Sequence, residues 1–445
     1  MPCNQIIAAI DIGTSKTVAI AGTKDEQGKI QILSIGEAET KGVIRGTVQN
    51  IMLASQSIKE AIQKCQQNLA KTITYVYVGI DGRNISSEVV THSKVINDII
   101  NDDDILQLTD EINKISASQG ENIIHVIAQD YAVDNVSVGI NPKGFNGRKL
   151  EGTFYIVKGK EKAVKNIYQA VELAGLKIIR LFLEPLASAE AVLSKDEKEV
   201  GVILADIGAG TTDIAVFKDN ILRYTGVVPL GGKAITYDIK KGCGILERHA
   251  EQIKIQYGAA LSQKDFEKKV VSIKGVNGKT KEIPFTTIAA IINARVEEIL
   301  GGIAYEIDNV RCEHSLDAGL VLTGGTTKLK SLLQLTKFRL AIETRIGIPM
   351  INKQEFATEC YASAVGLIIK GCQDTEDRIE LKRIKQEREA AANQQQQSQP
   401  NNQDKNNKAK DDKKDKGNSK QGGGIGGFFQ KIANKLFSEP DDSKM

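Results

Sequence analysis

Two short segments of this 445-residue chain repeat one pattern. Asp11-Ile12-Gly13-Thr14-Ser15-Lys16-Thr17 follows the apolar residues 6–10 and leads into the apolar residues 18–22. Asp206-Ile207-Gly208-Ala209-Gly210-Thr211-Thr212-Asp213 follows residues 200–205 and leads into residues 214–217. Each reads as strand, tight turn, strand. A single copy is explained by hairpin turn chemistry alone. Two copies, each starting Asp-Ile-Gly at the end of a strand, predict two related lobes.

The residue types in these turns suit an anion. Glycine lets the backbone approach without an intervening Cβ, and successive N–H groups in a turn form an anion nest. The hydroxyls of Thr14, Ser15, Thr211 and Thr212 add donors. Asp11 and Asp206 would hold hydrated Mg²⁺, which takes one or two carboxylates together with waters and phosphates. Two such turns face to face would clamp a triphosphate from both sides. A third glycine turn, Thr323-Gly324-Gly325-Thr326-Thr327, also follows a strand-like run. Its glycine pair would either let backbone lie against a base or ribose, or serve the turn alone.

Around these turns, β-branched runs (6–10, 75–80, 200–205, 320–323) alternate with helical patterns (51–69, 162–174, 285–307). Such alternation predicts an α/β fold with sheets buried under helices. Net charge is only +3 and aromatics are 5% with no Trp, so neither a basic coat nor a stacking platform for nucleic acid is expected. The six cysteines form no Cys-x-x-Cys pair. A structural zinc site and a disulfide framework are therefore disfavoured, and a reducing cytosol is expected. No apolar run reaches the roughly 18 residues of a membrane-spanning helix.

Past Glu387 the composition turns polar, and residues 393–424 contain no large apolar side chain. A segment of that kind cannot bury enough surface to order itself and reads as a flexible linker spanning roughly 30 Å. Apolar residues then return. Ile425, Phe428, Phe429, Ile432 and Leu436 recur at i, i+3, i+4, i+7 and i+11, one stripe of a helical wheel, flanked by Lys431 and Lys435. Partial burial of these side chains and Phe437 in a lipid interface, at about 1.5–3 kcal/mol each when complete, gives micromolar or weaker binding for one tail once ordering costs are included. Several tails on one assembly would then be needed for stable attachment. A protein groove is the other surface able to receive such a helix.

The three glycine turns, in this order, resemble the first phosphate, second phosphate and adenosine motifs of the actin/DnaK/sugar-kinase ATPase superfamily. Glu184-Pro185-Leu186-Ala187-Ser188-Ala189-Glu190-Ala191 and Tyr361-Ala362-Ser363-Ala364-Val365-Gly366 resemble its two connecting helices. Within that superfamily the chain resembles the bacterial cell-division FtsA family over residues 5 to about 370 and in its tail. The resemblance rests on residues 41–46 (Lys-Gly-Val-Ile-Arg-Gly), on Gly231-Gly232 with Thr236 and Asp238, on 250–258, and above all on 124–158. One departure is Phe154-Tyr155-Ile156-Val157, where the family more often has His before Ile-Val.

The resemblance implies an actin-like two-lobed ATPase fold with an inserted FtsA-type subdomain, a disordered linker and a C-terminal amphipathic helix. Its boundaries would be 1–82 (lobe 1, first part), 83–160 (inserted subdomain), 161–200 (lobe 1 return and first connecting helix), 201–355 (lobe 2), 356–387 (second connecting helix), 388–424 (linker) and 425–437 (membrane-targeting helix). It also implies ATP and Mg²⁺ as cofactors. Gly13, Thr14, Ser15, Gly208, Gly210, Thr211 and Thr212 would cradle phosphates, and Lys16 would reach one or stand exposed at its strand start. Gly232, Glu251, Lys254, Gly324, Gly325 and Thr326 would contact the nucleoside; Glu251 and Lys254 alternatively form a plain i,i+3 ion pair. Asp11 and Asp206 would meet Mg²⁺ through water. Glu184 would position the attacking water in at most a weak ATPase, or serve only as charge at a helix N-terminus.

The implied job is a scaffold that self-associates into filaments on the cytoplasmic face of the inner membrane at the division site. It would anchor the tubulin-like FtsZ ring, whose C-terminal tail would dock within about 231–300, and recruit later division proteins. The alternatives are another actin-like filament or assembly-platform ATPase, such as the cell-shape filament MreB, and a small-molecule kinase of the same superfamily. The first lacks use for the 124–158 signature, and the second for a tethered amphipathic helix.

Overall fold

A computed structural model describes residues 5–67, 69, 71–115, 119–262, 264–274, 280–311, 315–353 and 356–397. The linker beyond Gln397 and the amphipathic helix, with Ile425, Phe428, Phe429, Lys431, Ile432, Lys435, Leu436 and Phe437, lie outside the described residues. The chain divides at Glu376 into two units. The lobes, the inserted subdomain and the cleft all belong to the first.

Lobe 1 opens with β1 (Ile7–Ile12), β2 (Lys16–Lys24), β3 (Ile30–Glu39), the short β4 (Val43–Ile44) and β5 (Thr47–Val48), α1 (Ile51–Gln66) and β6 (Tyr75–Ile80). The inserted subdomain follows as β7 (Ile85–Val95), α2 (Asp102–Ile115), β8 (Glu121–Val133), β9 (Val136–Gly139) and β10 (Lys149–Lys160). The chain returns to lobe 1 through α3 (Glu161–Leu173) and β11 (Lys177–Leu183), then leaves it by α4 (Glu184–Val192) and α5 (Lys195–Val200). Lobe 2 begins with β12 (Val202–Ile207), β13 (Thr212–Lys218), β14 (Ile221–Val228), α6 (Gly232–Cys243) and α7 (Glu247–Tyr257). It continues through β15 (Val270–Lys274), β16 (Thr280–Pro284), α8 (Phe285–Arg311), β17 (Leu320–Thr323), α9 (Leu332–Leu340) and β18 (Thr344–Ile346), and α10 (Ala362–Gln397) closes the described chain. This last helix runs beyond residue 388, where the sequence suggested that the linker starts. Its straight-chain Glu, Lys, Arg and Gln residues are good helix formers, so low hydrophobicity alone did not end the helix.

The two central sheets are built alike. Lobe 1 orders its strands β3-β2-β1-β6-β11, and lobe 2 orders them β14-β13-β12-β17-β18. In each, the first three strands form antiparallel hairpins and the remaining two run parallel to the hairpin's first strand. Parallel strands buried on both faces require near-continuous apolar runs, as in residues 202–205 and 320–322.

Side-chain alternation sorts each sheet between two layers. In β1, Ala8, Ile10 and Ile12 pack with Ile58 of α1 and Ile167 of α3, whereas Ile7 and Ala9 pack with Val365 and Ile368 of α10. In β12, Ile203, Ala205 and Ile207 pack with α6 and α8, whereas Val202 and Leu204 pack with Leu186 and Ala189 of α4. Thus α10 covers the inner face of one lobe and α4 that of the other. The two helices cross almost in contact: a Cβ on Gly366 would lie 1.8 Å from the Ala187 carbonyl oxygen. Only glycine permits that approach.

The inserted subdomain is an antiparallel sheet, β7-β10-β8-β9, with Leu108 and Ile112 of α2 packed on Leu150, Phe154 and Ile156. Its connection leaves lobe 1 after β6 and returns directly into α3.

Candidate functional site

The repeated segments form equivalent hairpin turns. The β1–β2 turn closes at Ile12 opposite Thr17, and the β12–β13 turn at Ile207 opposite Thr212. Asp11 therefore faces Val18 across its hairpin, while Asp206 faces Asp213. The turns meet. A Cβ on Gly210 would stand 2.3 Å from Thr14 Oγ1, so bare backbone at 210 is what lets the second turn reach the first. Lys233, at the start of α6, donates its Nζ to the Thr14 carbonyl at 2.8 Å.

The first turn is held from its own lobe. Thr14 is buried and its Oγ1 accepts the Gly46 N–H at 2.8 Å. Ser15 is exposed and Gly13 half-buried. Lys16 points along its lobe, 2.7 Å from Glu37 Oε1 and 3.8 Å above the Tyr361 ring. The exposed strand-start alternative is not what is seen: Lys16 is ion-paired and half-buried.

The second turn is tied to lobe 2. Gly208 donates its N–H to the Thr211 carbonyl at 3.0 Å, and its own carbonyl accepts the Gly232 N–H at 3.0 Å and Thr326 Oγ1 at 2.8 Å. Thr212 is buried, its hydroxyl donating to the Leu230 carbonyl at 2.9 Å. The buried Thr211 hydroxyl reaches Asp81 Oδ2 at 2.9 Å and Asp213 Oδ2 at 3.1 Å, linking the lobes. Gly324 takes φ +88° beside Asp206, and Gly325 is exposed.

Three of the nucleoside candidates, Gly232, Glu251 and Lys254, form one network at the start of α6. Lys254 Nζ donates to Glu251 Oε2 at 2.8 Å, Thr236 Oγ1 at 2.9 Å and the Gly232 carbonyl at 3.0 Å. Thr236 also donates to Glu251 Oε2. The pair is therefore more than a surface i,i+3 contact, since it braces the helix that caps the second turn.

Acids crowd where the turns face. Burial raises the Asp11 carboxyl to about 7; Lys16 opposes this, and Asp206, Asp81 and Glu37 add to it. Glu184 stands well above the ordinary carboxylate range, through burial first and then the charges of Asp11, Asp81, Asp213 and Asp206. Asp213 is likewise raised by burial, Asp81 and Asp206. Asp206 is raised by burial although Ser188 Oγ donates to its Oδ2 at 2.7 Å and Ser363 Oγ at 3.2 Å. These hydroxyls come from α4 and α10, so both crossing helices touch one carboxylate. Glu184 is itself the first helical residue, with Leu183 as N-cap and Pro185 following.

Sequence reading assigned no role to Asp81, Asp213, Lys233, Ser188 or Ser363. Asp81 follows an apolar strand and precedes a glycine, the signal that singles out Asp11 and Asp206, whereas Asp213 lies inside the second repeated segment just past its turn. The two serines lie in the segments that resemble the connecting helices, but their contact with Asp206 depends on where those distant helices cross. Among the described residues no three His, Cys, Asp or Glu side chains converge closely enough to ligate a metal ion directly.

A model of the cell division protein FtsA family matches residues 203–366, and one of the SHS2 domain inserted in FtsA matches residues 82–158. The cell division protein FtsA of Pseudomonas aeruginosa is 33% identical over 383 residues, 85% of this chain and 92% of that one. The chain belongs to the FtsA family of cell division proteins. The Escherichia coli K12 FtsA is 29% identical over 379 residues, covering 82% of this chain and 90% of its own length. Among solved structures, the PilM-PilN type IV pilus biogenesis complex is similar with a TM-score of 0.60, 17% identity and coverage of 82% of this chain and 98% of that chain. MreB5 of Spiroplasma citri bound to ADP is similar with a TM-score of 0.50, 14% identity and coverage of 85% and 98%. At such identities the likeness establishes the actin-like fold, and the FtsA family supplies the inserted subdomain.

Proposed function

We propose that this chain is an ATP-binding, actin-like scaffold of cell division that links the FtsZ ring to the cytoplasmic face of the inner membrane. The observation that carries the nucleotide reading is the pair of matched turns meeting at Thr14 and Gly210, with acids behind both. Backbone N–H groups of Gly13, Thr14, Ser15 and of Ala209, Gly210 and Thr211 would face the phosphates, with Gly208 closing the second turn. Gly232, Glu251, Lys254, Gly324, Gly325 and Thr326 would border the nucleoside, and Lys16 would turn from Glu37 toward a phosphate.

Mg²⁺ fits the donor set. Asp11 and Asp206 offer hard oxygens, their charges oppose one another in a buried site, and an ion held through water relieves that cost. When bound, Mg²⁺ would neutralise phosphate charge and let the acids ionise. Phosphoryl transfer is mostly positioning and electrostatics. Burial and the neighbouring acids push the Glu184 carboxyl above the ordinary range, so it would ionise more readily once those charges are offset. The chain would therefore bind ATP well and turn it over slowly, with Glu184 placing the water.

Cleft closure about the α4–α10 crossing would favour self-association, and assembled copies would pool their weakly binding C-terminal helices. Residues 231–300 would take the FtsZ C-terminal tail, and later division proteins would join the same scaffold. Among the described residues no helix is long and apolar enough to cross a membrane. The apolar stripe of residues 425–437 would provide the attachment.

Liposome co-sedimentation with Mg-ATP tests the reading, comparing the full chain with a truncation ending at Gln421. The full chain alone should pellet and should carry an FtsZ C-terminal peptide with it. If both proteins stay in the supernatant, the membrane role is wrong; if the peptide stays behind, the ring-anchoring role is.

A further inference from the structure

The inserted subdomain meets the approach to the cleft with one buried polar contact, beside the apolar packing of Tyr155 and Val157 on Leu183 and Leu186. His125 of β8 is 6% exposed, and its Nε2 accepts the Leu183 N–H at 3.1 Å. Leu183 is both the last residue of β11 and the N-cap of α4, so it directly precedes Glu184. The first N–H groups of a helix and its entry have no intrahelical partner, and whatever binds them sets the entry angle. Here that partner belongs to another subdomain. The imidazole also stacks on Phe182, centroids 5.8 Å apart at 15°, which fixes its plane. Burial, aided by Arg180 and Lys370, pushes the ring's pKa down to about 3, so it stays neutral with Nε2 free to accept.

The same strand is fastened to the opposite lobe. Gln129 Nε2 donates to the Leu222 carbonyl at 3.0 Å, and Arg223 NH1 donates to the Gln129 carbonyl at 3.2 Å. On the adjacent β10, the Tyr155 hydroxyl accepts the Thr225 N–H at 3.0 Å and donates to Ser87 Oγ at 2.7 Å. One subdomain thus grips β14 of lobe 2 and the backbone in front of Glu184. Between these grips lies a cavity of about 50 Å³ lined by Ser87, Leu183, Pro185, Thr225 and Val227, so the junction has room to shift. Glu184 itself has little: a Cβ on Gly79 would lie 2.7 Å from its Oε1. A displacement at Leu183 would therefore be passed to the carboxyl rather than absorbed by it.

We infer that His125 is a positioning residue for Glu184, and that the seating of the inserted subdomain on lobe 2 is transmitted to the cleft through it. The inference rests on the reading of Glu184 as the water-positioning acid. Misplacing a catalytic group by about 1 Å costs up to about 100-fold in rate while leaving binding contacts intact.

The experiment measures Mg-ATP affinity and steady-state phosphate release for the full chain and for His125→Leu, His125→Gln, Gln129→Ala and Glu184→Gln. His125→Leu should slow release about 10- to 100-fold with affinity nearly unchanged. His125→Gln, whose amide oxygen reaches the place of Nε2, should restore most of the rate. Gln129→Ala, which loosens the strand without touching Leu183, should slow release in the same direction by less, and it carries the test should His125→Leu not fold. A His125→Leu protein with the parent rate overturns the inference, as does a parallel loss of rate and affinity. Release indifferent to Glu184→Gln overturns it while leaving ATP binding standing. Absence of Mg-ATP binding to the parent chain overturns both.

Discussion

The two turns share a backbone and differ in charge. Position by position, Lys16 in the first corresponds to Thr211 in the second, and Val18 corresponds to Asp213. Lobe 1 thus places a cation near Asp11, whereas Asp206 of lobe 2 takes two serine hydroxyls from the crossing helices and faces a second buried acid. The two hairpins share a frame, and the residues at these two positions give the first turn a cation and the second a further acid. In a buried site that difference is costly, because uncompensated charge is expensive in low dielectric.

The largest effect expected from this asymmetry is on Mg²⁺-dependent ATP binding. Asp206→Asn should lower affinity about 10- to 100-fold, the range for groups that act on a metal through an intermediate shell. Asp11→Asn should lower it less, since Lys16 already offsets part of that charge. Titration with labelled ATP at fixed Mg²⁺ reads both, and equal losses would break the comparison.

Stability separates the turns next. Thr211→Val leaves Asp81 and Asp213 without a shared donor and should destabilise by about 1–3 kcal/mol in denaturant melts. At the matching place Lys16→Met removes an ion pair whose side chains are 33% and 40% exposed, and should cost no more than about 1 kcal/mol. A larger loss for Lys16→Met would mean that the first turn, not the second, holds the lobes together.

A pH slope sharpens the comparison from the side of the first turn. Asp11 binds its proton up to about 7 when folded, against an ordinary value of 3.8. Between about pH 4 and 7 the folded state therefore holds a proton that the unfolded state has lost, so stability of the nucleotide-free chain falls as pH rises. Asp11→Asn should flatten that slope, and Mg-ATP should reverse it by favouring the ionised acid. Thermal melts across this window decide the matter; a slope indifferent to Asp11→Asn would move the proton to Glu184 or Asp213.

Much of this frame was legible in the residues. Strands 75–80 and 320–323 fall where their β-branched runs end, and the two Asp-Ile-Gly turns are hairpins. The last helix extends past residue 388 into polar sequence, because Glu, Lys and Arg favour helix whatever their hydrophobicity. The pairing of Lys16 with Glu37 and its place over Tyr361 depend on β3 and on residues far along the chain, which the turn's own sequence does not specify.

By itself, then, the sequence determined local matters: where strands stop, which turns can bring bare backbone to an anion, and that the pattern occurs twice. Those follow from backbone sterics and side-chain periodicity, which act over a few residues. Tertiary structure alone decided the meeting of Thr14 with Gly210, the convergence of Ser188 and Ser363 on Asp206, and the reach of His125 to Leu183. Each joins residues distant in the chain through the packing of two helices, two lobes or an inserted sheet, and no local propensity specifies such a contact.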